Sequence, residues 1–481
     1  MLESALLRNC RGYIAGQWCD ADAQRTMPVV NPANDETIAT IPAMERVETI
    51  RAIEAADSAL AFPTPAEKRS CWLAQIAELI IEHRRELGRI ISLEHGKPWE
   101  EAQGEADYAA SFFRYYARCI DMLSPRHLPD RPRGLRWTVH FRPAGVAALV
   151  TPWNFPLAML AKKMSAALAA DCSCVVKPSS RTPLTMVAFF ALLEKLQFPR
   201  GKVNLLLGPA EEISQAFCEH PAVRVISFTG STEVGRQLMA DAARHLKRLS
   251  LELGGNAPFI VFADSDIHHA VEQLIANKFR GSGQTCVCAN RVYVQASIVE
   301  EFSKQLAARV ATLKVGNGLH PDTDLGPLID RSAVEKVQRH IDNALAHGAV
   351  RITPEGMNSS SAKSGNFFPP TVLRGVTAEM ECVHHETFGP VIPILEFENE
   401  DQVIDAANST EYGLAAYVFT QNASRSERML ARLRFGHVGL NTGSGPTAEA
   451  PFGGMKSSGF GREGGLEGLH DFVDPQTIAS P

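Results

Sequence analysis

"GVAALVTPWNFPLAMLAKKMSAALAADCSCVVKPSS", residues 145–180, opens on a continuous apolar run, Gly145 to Val150. A run of that length bounded by turn residues reads as a strand buried on both faces. Pro156 then stands in the first turn of a helical segment, where its missing N–H is no loss. A second apolar strand, "CSCVVKPS", follows. The same alternation continues outward through "TPLTMVAFFALLEKLQ" (helix), "KVNLLLG" (strand), "AEEISQAFCEH" (helix), "AVRVISF" (strand), "STEVGRQLMADAARHL" (helix) and "RLSLELGG" (strand). Strands alternating with helices over short links predict a doubly wound parallel α/β sheet. Such sheets bind ligands at the carboxyl ends of their strands.

A second α/β region starts near Gly254, with "APFIVF" as strand and "DIHHAVEQLIANKFR" as helix, and runs to Gly443. Upstream, the stretch from Gly12 to Pro42 reads as a small β-meander. From Val47 to about Tyr116 the period is helical, carried by Leu73, Ile76, Leu79 and Ile80, then Leu87, Ile90 and Ile91. After Ser124 a proline-rich linker leads into an extended hairpin. The segment "GMNSSSAKSGN" (356–366) reads as a surface loop.

A chain of 481 residues exceeds one hydrophobic core, so two or three domains are expected. The net charge of −6, and an arginine-rich stretch from Arg126 to Arg142 that is broken by prolines, argue against a nucleic-acid partner. Ten irregularly spaced cysteines read as reduced thiols. The N-terminus has no signal-peptide pattern and no run of eighteen apolar residues occurs, so neither secretion nor a membrane span is expected. The cytoplasm is the expected location.

Three segments carry chemistry. In "SFTGSTEVG", Gly230 and Gly235 let backbone approach a ligand, and Ser231 opens a helix whose N-terminus attracts phosphate; a simple helix cap is the alternative. Lys177 ends a strand of the same sheet, placed for a ribose or phosphate or else for solvent. In "RGSGQTCVCANR" (280–291), Cys286 and Cys288 lack the further ligands a zinc site needs, and no metal is expected. Read as a strand, the two cysteines would face opposite sides. A thiol nucleophile beside a planar cofactor would explain the glycines at 281 and 283. Such a thiol needs a base or positive charge, and Glu252 in "LELGGN" is a candidate.

Together with "TPWNFP" (151–156), "KPS" (177–179), "ETFGPV" (386–391) and "PFGGMKSSGFGRE" (451–463), these segments resemble, in order and over nearly the whole chain, the aldehyde dehydrogenase superfamily. "LELGGNAPFIVF" and "GQTCVCANR" look most like the succinate-semialdehyde dehydrogenases. The resemblance implies a Rossmann-type cofactor domain (1–122 and 143–253), an α/β catalytic domain (254–443), and a small β oligomerisation element with the C-terminal tail (123–142 and 444–481). It makes Cys286 the nucleophile, Glu252 the general base, and Asn154 with the Cys286 N–H the oxyanion donors. It gives Glu386 and Phe388 to the nicotinamide ribose, Lys177 to the adenosine ribose, and Trp153 and Ser231 to the pyrophosphate. Glu463 matches a further acidic residue, and Cys288 matches a cysteine that is regulatory in some relatives. A homo-oligomer, dimer or tetramer, is implied.

The pattern also departs from the semialdehyde specialists, which grip the distal carboxylate with two arginines and a serine. Arg280 is present; the second arginine falls at Lys162 and the serine at Pro446, with Ser444 and Thr447 nearby. Lysine keeps the charge but loses the bidentate fork. An anionic aldehyde is implied, either succinate semialdehyde or a longer or sulfonated analogue. Pro475 lies in the implied oligomerisation strand and removes a ladder donor. Ser180 replaces the glutamate that often follows the Lys177 position in NAD-specific members; with Arg181 it favours NADP, with NAD also used. An acyl-CoA-forming relative would lack Glu252, and a non-catalytic relative would lack Cys286.

Overall fold

The computed structural model describes residues 4–130, 132–354, 356 and 365–481. The loop expected at 356–366 falls largely outside them.

The strand–helix alternation builds an eight-stranded sheet. Its order is Gly459–Phe460, Arg248–Glu252, Val223–Thr229, Val146–Val150, Ser173–Lys177, Val203–Leu205, Gly12–Ile14 and Gln17–Cys19. The five strands from Arg248–Glu252 to Val203–Leu205 run parallel. Val146–Val150 and Ser173–Lys177 are buried at every position, as continuous apolar runs in a sheet covered on both faces should be. The helix Pro156–Ala169, with Pro156 in its first turn, is buried along its whole length and therefore carries Lys162 and Lys163 into the interior.

A second sheet has the order Val350–Arg351, Thr371–Arg374, Val391–Phe397, Ala289–Gln295, Ala257–Val261, Ala415–Phe419 and His437–Leu440, parallel except at its first pair. A third, small sheet joins Val473–Ser480 to Arg136–Pro143 and Arg126–His127. Its register is unbroken from Val473↔Pro143 to Ser480↔Arg136, and Pro475 is accommodated because its strand is an edge.

Three details differ from the sequence reading. The N-terminal strands form two separate hairpins. The first extends the eight-stranded sheet through Tyr13↔Leu205, and the second, Thr26–Val30 with Thr37–Pro42, stands apart. The strand after the two cysteines begins only at Ala289, so Cys286 and Cys288 lie on a loop. The C-terminal segment is also divided. Gly459–Phe460 pairs with Arg248–Glu252 before the chain enters the small sheet. Glycine is required there, since its φ is +107° and a Cβ would collide with the Leu251 carbonyl. Among the described residues no helix is long and apolar enough to cross a membrane.

Candidate active site

The carboxyl ends of the parallel strands and the loop before Ala289 converge on one buried cluster. Glu252 closes its strand and places Oε1 3.6 Å from the Cys286 sulfur. The loop reaches this point through Gly281, Ser282 and Gly283, all with positive φ. A Cβ on Gly283 would collide with the Gly389 carbonyl. These glycines serve a left-handed turn and, at Gly283, a close backbone crossing. The residue whose Cβ would meet the Cys286 carbonyl is Gly255.

Asn154 is buried; its amide nitrogen donates to the Gln284 carbonyl at 2.9 Å, which leaves one amide N–H over. Its backbone carbonyl accepts from Lys97 Nζ at 2.7 Å. Lys97 in turn pairs with Glu105 at 2.7 Å, and Glu105 also accepts from the N–H groups of Leu157 and Ala158. This brace fixes the turn that carries Asn154 to the start of the buried helix.

Charge is concentrated around Glu252. Lys163 Nζ donates to Thr229 Oγ1 at 2.7 Å and to Glu463, and Thr229 Oγ1 donates to Glu252 Oε2 at 3.4 Å. Lys162 Nζ lies 3.8 Å from Glu252 Oε2 and 3.6 Å from Glu463 Oε2. Burial pushes Glu252 up to about 7, opposed mainly by Lys162. Burial also works to raise Glu463, but Lys163 and Lys162 outweigh it and hold Glu463 down to about 2. Burial, followed by the Glu252 charge, raises the Cys286 thiol well above its ordinary value, so it is a thiol until a base takes its proton.

Arg280 stands half-buried with its guanidinium 4.5 Å from the centre of the Phe155 ring, beside Gly445. Among the described residues no carboxylate pairs with it. Tyr108, on which the charges of both Lys162 and Arg280 act, has a buried hydroxyl without a hydrogen-bond partner among the described residues. Lys162 does not stand beside Arg280 as a free cation; its ammonium is turned to the two glutamates. Cys288 is buried, donating to the Gly283 carbonyl at 3.4 Å, with Lys278 Nζ 3.8 Å from its sulfur. Lys163, Lys97, Glu105 and Tyr108 carry no motif, and Thr229, although inside "SFTGSTEVG", has no role read from that segment. The one visible signal was "AKKM", two lysines inside an otherwise apolar helix that had to find buried partners.

The residues assigned to a dinucleotide also lie together. Ser231 caps the helix Thr232–Ala243, accepting from the Val234 N–H. A Cβ on Gly230 or Gly235 would collide with Phe228 or Leu253. A cavity of about 840 Å³ opens beside this helix, lined among others by Ala210, Phe228, Val234 and Leu238. Lys177 is buried, pushed down to about 8 by burial, and its ammonium donates to the Pro178 carbonyl, with two N–H donors left. Glu386 is raised to about 7 by burial and accepts from the Gly255 N–H at 3.2 Å. Phe388 holds φ at +56° and stands edge-on to Trp153, ring centres 5.6 Å apart. A non-glycine residue held left-handed is a strain that functional sites retain. Spare donors at Lys177, spare acceptors at Glu386 and a helix N-terminus suit a nicotinamide dinucleotide. Ser180 donates to the Gly208 carbonyl at 2.8 Å, and Arg181 is paired with Asp330, so neither stands free as the sequence reading had it.

An α/β fold with a part-buried thiol facing a carboxylate, and with a cavity beside a capped helix N-terminus of the same sheet, fits a cysteine-dependent dehydrogenase. The chain belongs to the aldehyde dehydrogenase family, which matches residues 18–478. It is 46% identical over 479 residues to the glutarate-semialdehyde dehydrogenase of Pseudomonas putida (strain KT2440), covering 98% of each chain. It is 44% identical over 474 residues to the Escherichia coli (strain K12) succinate-semialdehyde dehydrogenase that carries NADP(+) in its name, again covering 98% of each. An oxidoreductase structure from Marinobacter aquaeolei superposes with a TM-score of 0.97 at 53% identity over the whole of both chains.

Proposed function

We propose that the protein oxidises an anionic semialdehyde, succinate semialdehyde or a close analogue, to the carboxylate with NADP or NAD. The observation that carries this reading is Arg280. A guanidinium with no carboxylate partner among the described residues, whose charge acts on Tyr108 together with those of Lys162 and Glu252, is matched to a substrate that brings its own anion. The name of the Pseudomonas relative supports glutarate semialdehyde as the nearest alternative.

In this reading Glu252 takes the thiol proton from Cys286, and the sulfur attacks the aldehyde carbon to give a thiohemiacetal. The spare N–H of Asn154 and the backbone N–H of Cys286 receive the oxyanion, where each such donor contributes roughly 3 kcal/mol. Bound NADP or NAD supplies the acceptor for the hydride that leaves this carbon. Cys286 then holds a thioester; Glu252, having passed the thiol proton on to solvent, takes a proton from the water that attacks it, and the departing Cys286 thiolate is reprotonated. A carboxyl near 7 is matched to both transfers at neutral pH. Glu386 and Lys177 hold the two riboses. Ser180 in place of an acidic residue leaves a 2′-phosphate unrepelled, so NADP is accepted alongside NAD. Subunits associate as a dimer or tetramer through the small three-stranded sheet.

The test is turnover of the purified protein with succinate semialdehyde and NADP, without coenzyme A. Reduced cofactor and succinate should appear in equal amounts, and kcat/KM should exceed that for butanal, the neutral aldehyde of equal length. Preference for butanal would defeat the anionic-substrate reading.

A further inference from the structure

The helix Pro156–Ala169 carries adjacent lysines whose side chains start about 100° apart around its axis. Both still reach Glu463, and Lys162 also reaches Glu252. Lys163 is committed to hydrogen bonds with Thr229 and Glu463. The side chain of Lys162 is 3% exposed, and its ammonium makes no hydrogen bond among the described residues. It rests 4.8 Å from the centre of the Phe452 ring, with Glu252 Oε2 and Glu463 Oε2 as its two counter-charges.

A buried ammonium without counter-charge would be neutralised or expelled. Burial works to lower Lys162, but Glu252, Tyr108, Glu463 and Cys286 outweigh it, and the group is held protonated. The relation is reciprocal, because Lys162 is the strongest opposite charge acting on Glu252. The two oxygens of that carboxylate are divided: Oε1 faces the Cys286 sulfur and Oε2 faces Lys162. Arg280, by contrast, has no carboxylate partner among the described residues.

We propose that Lys162 is a positioning residue of the general base: its ammonium engages Oε2 of Glu252, preserves the negative charge there and presents Oε1 to the Cys286 thiol. It is not a ligand of the substrate's distal carboxylate, and it has this role only if Glu252 is the base proposed above. The other groups facing Glu252 are Lys163 and Thr229 on one side, Glu463 on another and Cys286 in front; Tyr108 and Phe452 face Lys162.

The experiment is the pH profile of kcat/KM for the full-length protein, Lys162→Met and Lys162→Arg, with succinate semialdehyde and with butanal. Removing an opposite charge at this range shifts a carboxyl by about one to three units. Lys162→Met should therefore move the acidic limb to higher pH by that amount, equally for both aldehydes, and Lys162→Arg should restore it. An unmoved limb in folded Lys162→Met, or a rise in KM confined to succinate semialdehyde, overturns the proposal. If Lys162→Met does not fold, Lys162→Arg carries the test: the wild-type limb with no gain for the anionic aldehyde supports it, and tighter KM for succinate semialdehyde alone overturns it. Glu252→Gln retaining the wild-type acidic limb would instead remove Glu252 as the base, whatever the Lys162 variants do.

Discussion

Arg280→Met separates recognition of the substrate's charge from the chemistry at its other end. Methionine keeps an unbranched chain over the Phe155 ring, where the guanidinium now sits at 4.5 Å, and removes only the charge and its donors. Two unit charges about 4 Å apart near a protein surface interact by roughly 4 kcal/mol before desolvation is counted. Arg280 is half-buried, so solvent screening and desolvation reduce that gain. Hydrogen bonds to charged groups retain about 1.5–3 kcal/mol net. At about 1.4 kcal/mol per factor of ten, kcat/KM for succinate semialdehyde should fall by roughly 10- to 150-fold. Butanal should lose only what weaker stacking on Phe155 costs, about 0.5–1 kcal/mol, or roughly two- to fivefold. The assay is steady-state reduction of NADP with each aldehyde, and the informative quantity is the ratio of the two losses. Equal losses would mark Arg280 as a packing residue and refute its assignment to the distal anion.

Two further outcomes follow from backbone and charge. Ser180→Glu should shift the kcat/KM ratio toward NAD, since an added carboxylate repels a 2′-phosphate; an unchanged ratio would place the phosphate elsewhere. Gly283→Ala should lower Tm more than Gly281→Ala. Both positions have positive φ, costing roughly 1–2 kcal/mol, but only at Gly283 does a Cβ collide with backbone, the Gly389 carbonyl. Equal melting temperatures for the two variants would contradict that geometry.

The alternation from Gly145 to Glu252 was legible because each buried strand is a short continuous apolar run and each helix has its own opening signal, as Pro156 does. Glu252 could be named from its strand end as a candidate base for the Cys286 thiol, but the resemblance was needed to assign it, because the pairing depends on two sheets meeting. What stayed hidden was side-chain direction. The charge of Lys162 is plain in the sequence, but its orientation depends on Glu252 and on Glu463, which meets the neighbouring Lys163 across 300 residues of chain. Lys97 and Glu105 were hidden for the same reason. They look like ordinary surface charges of a helical region, yet both are fully buried and brace the Asn154 turn. Arg181 was misread because Asp330, its partner, comes from the cap of a helix that local sequence does not place beside it.

In the proposed reaction Cys286 carries the substrate as a thioester, hydrolysed by a water that Glu252 deprotonates. The direct measurement is the intact mass of Glu252→Gln after brief incubation with succinate semialdehyde and NADP. The account predicts a gain equal to one succinyl group, mapped to the peptide containing Cys286 and absent from Cys286→Ala, with a matching burst of reduced cofactor. Turnover by Cys286→Ala, or an acyl group on any other residue, would contradict it.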